Sequence, residues 1–129
     1  MPFNRLHVPQ ALPVETCRAI NACLHASLVA TCGVNPDDNF CLVSRYPLGD
    51  MTCHPTFLGD RDPNSTIVVE ITLLAGRSDS QKEALYKDVR RRLREVGFNP
   101  ANAIIFLSEN HPIDWSLSQA GSLKSVFGL

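Results

Sequence analysis

The stretch Thr66-Ile67-Val68-Val69-Glu70-Ile71-Thr72-Leu73-Leu74-Ala75-Gly76-Arg77-Ser78-Asp79-Ser80-Gln81 decides the fold. Its first nine residues predict a strand. Ile67, Val69, Ile71 and Leu73 form one apolar face, and Val68, Glu70 and Thr72 form the other. A face that is apolar throughout belongs beneath helices. Gly76 breaks the strand. Ser78 followed three residues on by Gln81 is a capping box that opens a helix. Leu85, Val89, Leu93 and Val96 supply that helix with a stripe for burial, and Gly97 ends it.

Working outward, the same pattern occurs earlier in the chain. Leu6, Val8, Ile20, Leu24 and Leu28 recur 65 residues later as Ile71, Leu73, Leu85, Val89 and Leu93. Gly33-Val34-Asn35-Pro36 recurs as Gly97-Phe98-Asn99-Pro100. The first half therefore reads as a strand over Phe3–Val8, a helix over Pro13–Cys32 and a strand over Asn39–Tyr46. Pro47–Asn64 is a long connection, and the second half closes with a strand over Asn102–Ser108. The fold class is α+β. One domain, residues 1–129, is built from two fused β-α-β units, about 2–64 and 65–129. Side by side they make a four-stranded mixed sheet with both helices on one face. The other sheet face is left bare, and a bare face with apolar neighbours calls for a partner chain.

Composition narrows the function classes. Twelve Lys and Arg balance thirteen Asp and Glu, which argues against a generic nucleic-acid or membrane-surface binder. No apolar run is long enough to span a bilayer, and the amino terminus has no signal-peptide pattern. Cys17, Cys23, Cys32, Cys41 and Cys53 are odd in number and form no Cys-x-x-Cys pair. They read as reduced, small apolar residues of a cytoplasmic protein. His7, His25, His54 and His111 lack metal-ligand spacing, so no metal is assigned. Arg90, Arg91, Arg92 and Arg94 form a solvated helix face. Asp88 stands four residues before Arg92, and Glu83 four before Lys87.

The candidates for chemistry are few. Removal of Met1 makes Pro2 a free secondary amine, able to act as base, acid or nucleophile. Its counterpart in the second half is Ile67, whose nitrogen is an amide, so a chain carries one such site. Arg77, between a strand end and a helix start, is either a carboxylate clamp or a surface arginine. Asp37 and Asp38 serve turn chemistry, or supply a carboxylate that activates water or holds the proline ammonium. Trp115, the single tryptophan, walls a pocket or covers the core edge, and Phe127 and Leu129 can act as a flap.

Pro2 behind Met1, the doubled β-α-β pattern and the run Ala75–Lys82 together resemble the tautomerase superfamily. That run resembles the family's Gly-Arg-Ser-x-x-Gln-Lys signature. The chain length, Gly33-Val34, Asp38, Pro47-x-Gly49-Asp50 and Asp114-Trp115-Ser116 resemble the branch that includes malonate semialdehyde decarboxylase. The resemblance implies a homotrimer without a cofactor, acting on a small carboxylate substrate. It implies Pro2 as the acid–base group, Arg77 as the carboxylate binder and Asp38 as polar assistant. Trp115, Leu117 and Phe127 then form the substrate pocket. The decarboxylase pattern has a second arginine where this chain has Ala75, and often Phe-Gly where it has Leu117-Ser118. One cation fewer favours keto–enol tautomerisation over decarboxylation. A lyase, hydratase or dehalogenase is the alternative within enzymes. An inert trimeric binding protein is the alternative outside them.

Overall fold

The computed structural model describes residues 1–129. Strand β1 (Pro2–Pro9) is followed by helix α1 (Val14–Cys32) and strand β2 (Cys41–Tyr46). Strand β3 (Ile67–Leu74), helix α2 (Asp79–Glu95) and strand β4 (Ala103–Asn110) repeat the motif. A short helix α3 (Leu123–Val126) lies in the tail. The strands run in the order β2-β1-β3-β4. Each half contributes a parallel pair, and β1 and β3 join the halves antiparallel. Arg5 lies directly opposite Glu70, its own counterpart in the repeat. The two units are thus related by an approximate twofold through the middle of the sheet.

All ten apolar residues of the repeat are fully buried: Leu6, Val8, Ile20, Leu24, Leu28, Ile71, Leu73, Leu85, Val89 and Leu93. They sit in one core between the sheet and the two helices. The reason is periodic. Period two puts alternate strand residues on one face, and helical spacing stacks the stripe facing them. Gly33 ends α1 at φ 66°, a left-handed conformation that a side chain would disfavour. The Ser78 capping box forms in full at the start of α2.

Several boundaries differ from the sequence reading. β2 begins at Cys41 rather than Asn39, because Asp38 N–H donates to Asn35 O and Asn39 N–H to Asp37 O, keeping the chain in a turn. β4 runs from Ala103 to Asn110, since Asn99 first caps a 3-10 turn at Pro100–Asn102. Val96 is half exposed and falls outside the core, because α2 ends before it. Asp88 does pair with Arg92 at 2.8 Å and also with Arg91 at 2.7 Å. Glu83 and Lys87 form no ion pair, and Arg91 instead reaches Glu95 at 2.7 Å.

Asp88 carries a pH dependence. Burial pushes its carboxyl up, but hydrogen bonds from Arg92 and Arg91 outweigh this and bring it down to about 2. The folded value lies below the ordinary carboxylate value of about 3.9. Its stabilisation is therefore present above about pH 4 and lost as pH falls toward 2. Asp88→Asn should lower stability near neutral pH by about 1 kcal/mol after solvent screening. The difference from wild type should shrink to roughly a third in acid, as urea titrations at pH 7 and pH 2.5 would show.

The face of the sheet away from the helices is open, as expected. His7 sits there between Tyr46 Oη at 2.7 Å and Glu70 Oε2 at 2.9 Å. Leu42 on β2 and Phe106 on β4 are 48% and 43% exposed. No helix is long and apolar enough to cross a membrane. All five cysteines are unpaired.

Candidate functional site

β1 starts where β3 ends. Pro2 is buried and lies opposite Leu73. Arg77 follows shortly after on the turn into α2, and its guanidinium reaches back to that strand end. Nη1 donates to Leu74 O at 3.1 Å, while Nε and Nη2 donate to Cys32 O at 3.3 and 3.2 Å. Arg77 is therefore no free surface cation. It ties the last carbonyls of α1 to the end of β3, and a cation at a helix C-terminus is favoured. Of five N–H donors, one on each terminal nitrogen remains for a ligand.

Asp38 approaches the same place from the turn before β2. Its Oδ2 is 3.6 Å from the Met1 amino nitrogen, and its side chain is 14% exposed. Its other oxygen, Oδ1, is buried without a hydrogen-bond partner. The three candidate groups thus come from three separate segments to one end of the sheet: a chain terminus, a carboxylate and a guanidinium. With Met1 present the Pro2 nitrogen is an amide and has no lone pair to offer.

The remaining candidates are placed differently. Trp115 Nε1 donates to Asn110 Oδ1 at 2.5 Å at the end of β4. With Phe3, Arg5, Thr72 and Asp114 it lines a cavity of about 360 Å³ on the open sheet face. That cavity lies at the same end of the sheet as Pro2, but neither Pro2 nor Arg77 lines it. Leu117 and Phe127 are 45% and 65% exposed, and neither lines the cavity that Trp115 lines. No three His, Cys, Asp or Glu side chains gather as a metal cluster. Glu109 is held below its usual range chiefly by the hydrogen bond from Lys82, at 2.6 Å, and lies close enough to Arg77 to feel its charge.

One polar feature went unread in the sequence. Asn4 Nδ2 donates to Asn21 Oδ1 at 3.3 Å, and Asn21 Nδ2 donates to Asn39 Oδ1 at 3.2 Å. Asn4 is 2% exposed, two residues after Pro2 on the inward face of β1. The signal was available. Asn21 falls at helical spacing among Cys17, Leu24 and Leu28, a polar residue within an apolar stripe.

The model of the tautomerase enzyme family matches residues 38–118. The probable tautomerase YusQ of Bacillus subtilis (strain 168) is 26% identical over 117 residues, 90% of this chain and 92% of the relative. A crystal structure of FG41 malonate semialdehyde decarboxylase inhibited by 3-bromopropiolate superimposes with a TM-score of 0.87 at 26% identity. It covers 98% of this chain and 95% of that one. A fused 4-OT symmetric trimer shares the fold at a TM-score of 0.77 and 16% identity, covering 96% of this chain and 98% of its own. Doubled β-α-β units, a signature turn into α2 and a matched family model lead to one conclusion: the chain belongs to the tautomerase enzyme family, on its malonate semialdehyde decarboxylase-like branch.

Proposed function

We propose that the protein is a cofactor-independent keto–enol tautomerase of small 2-oxo or enol carboxylic acids. The amine of Pro2, freed by loss of Met1, takes the enol hydroxyl proton and returns a proton to carbon. The amine is regenerated, so substrate and product differ only in proton position. Arg77 holds the carboxylate with its two remaining N–H donors and draws charge from the developing enolate. In this reading Trp115, Leu117 and Phe127 wall the pocket. The observation that carries this reading is the gathering of terminus, Asp38 and Arg77 at one sheet end, with Ala75 leaving a single guanidinium there. A substrate panel tests it. Phenylpyruvate enol and a 2-hydroxydienoate should turn over, while malonate semialdehyde and a haloacrylate should react weakly or not at all. Decarboxylation without tautomerase activity would overturn it.

A second reading is a lyase or hydratase, favoured by the likeness to a malonate semialdehyde decarboxylase and by Asp38 beside the terminus. There the protonated amine polarises a carbonyl and Asp38 activates water. The same panel separates the two. The open sheet face, with Leu42, Phe106 and the His7–Glu70 pair, is read as the interface of a homotrimer in a reducing compartment. Light scattering at micromolar concentration should give three times the 14.2 kDa chain mass. A monomer mass would refute the assembly.

A further inference from the structure

Two residues one turn apart on α1 hold the segment that carries Asp38. Asn21 Nδ2 donates to Asn39 Oδ1 at 3.2 Å, and His25 Nε2 donates to Pro36 O at 2.6 Å. Between those anchors the turn closes on itself, with Asp38 N–H donating to Asn35 O at 2.9 Å. Asn21 is in turn braced from below by buried Asn4 on β1, at 3.3 Å. β1 also holds the same segment by its backbone, Asn4 N–H donating to Phe40 O at 2.9 Å. A line of amides thus runs from the strand that begins at Pro2, through α1, to the residue beside Asp38. Burying such amides costs free energy unless each contact is made. Asn4 Oδ1 and Asp38 Oδ1 are nonetheless both buried and unpartnered. The idle Asp38 oxygen sits on a carboxylate whose other oxygen is 3.6 Å from the Met1 nitrogen, and the ammonium of Pro2, alone or through a water, is a donor of the kind it calls for.

We propose that Asn21, braced by Asn4 and linked to Asn39, is a positioning residue that holds the Asp38 carboxylate at the amino terminus and so sets the protonation of the Pro2 amine. The inference rests on the reading of Pro2 as the acid–base group. The charged groups around the amine are Asp38 on the turn before β2, Arg77 on the turn after β3, and the Glu109–Lys82 pair joining β4 to α2. A cation beside an amine disfavours its ammonium form, and a carboxylate beside it favours that form. Arg77 is locked by three carbonyl contacts. Asp38 depends on a turn, so it is the adjustable member of the pair.

The test is a nitrogen NMR titration of Pro2 in proline-labelled protein whose loss of Met1 is verified by mass. Asp38→Asn should lower the titration midpoint by about one unit. Asn21→Ala should lower it in the same direction by roughly half as much, as a loosened carboxylate contributes less. In the double variant the midpoint should equal that of Asp38→Asn alone, because Asn21 acts only through Asp38. Asn39→Ala, at an exposed residue, breaks the same link from the other side and should reproduce the Asn21→Ala shift. An unmoved midpoint in both single amide variants would overturn the proposal, and so would a shift that persists in full without the Asp38 charge. The titration needs no substrate. An unaltered turnover rate in Pro2→Ala would reject the functional reading while leaving this result readable.

Discussion

Pro2→Ala is expected to lower kcat by about 100-fold or more, with a much smaller change in KM. General acid–base groups typically contribute factors of this order and above. The substitution keeps a terminal amine but exchanges a rigid secondary amine for a flexible primary one. The position itself is well prepared. Pro2 is buried and its strand is paired on both sides, to β2 and to β3. An amine there is held at a constant place, which proton transfer requires. A form that retains Met1 should be inactive, since the Pro2 nitrogen is then an amide. Mass spectrometry of the active fraction, with kinetics of both forms, checks this. Full activity with Met1 retained would move the chemistry away from Pro2.

Arg77→Ala should raise KM by roughly 10- to 100-fold, the loss expected for a charge-assisted hydrogen bond to a carboxylate. The structure adds a second effect that the sequence did not suggest. Three of its donors satisfy Cys32 O and Leu74 O, so their loss strands carbonyls at the end of α1 and β3. That should cost about 1–2 kcal/mol of stability. Arg77→Lys separates the two effects. Lysine keeps the charge but not the planar fork. It should recover part of the KM loss while its unfolding transition stays below wild type. Steady-state kinetics and denaturant melts on the same preparations decide it. A variant with normal KM and reduced stability would make Arg77 a purely structural brace.

The two halves and their core were written in the sequence by itself. Period two over Ile67–Leu73, helical spacing over Leu85–Leu93 and the recurrence of both 65 residues apart named ten positions, and every one is fully buried. The capping box at Ser78 and the left-handed Gly33 were equally legible. These are local rules, satisfied by residues within a turn or two of one another. Where several local signals compete, boundaries moved, as at Asn39, where turn hydrogen bonds delayed β2.

The residues of the candidate site could be listed from the sequence, but their partners could not. Arg77 meets Cys32 across 45 positions, His7 meets Glu70 across 63, and the Met1 nitrogen meets Asp38 because β1 pairs in parallel with β2, Asn4 opposite Cys41. Whether an arginine grips a ligand or a helix end depends on which carbonyls the fold delivers to it. Leu117 and Phe127 carry no such address within one chain. Asn21 shows the limit most plainly. Its place on the apolar stripe was visible, but only the docking of α1 against both β1 and the Asp38 turn made it a link rather than a flaw in the core.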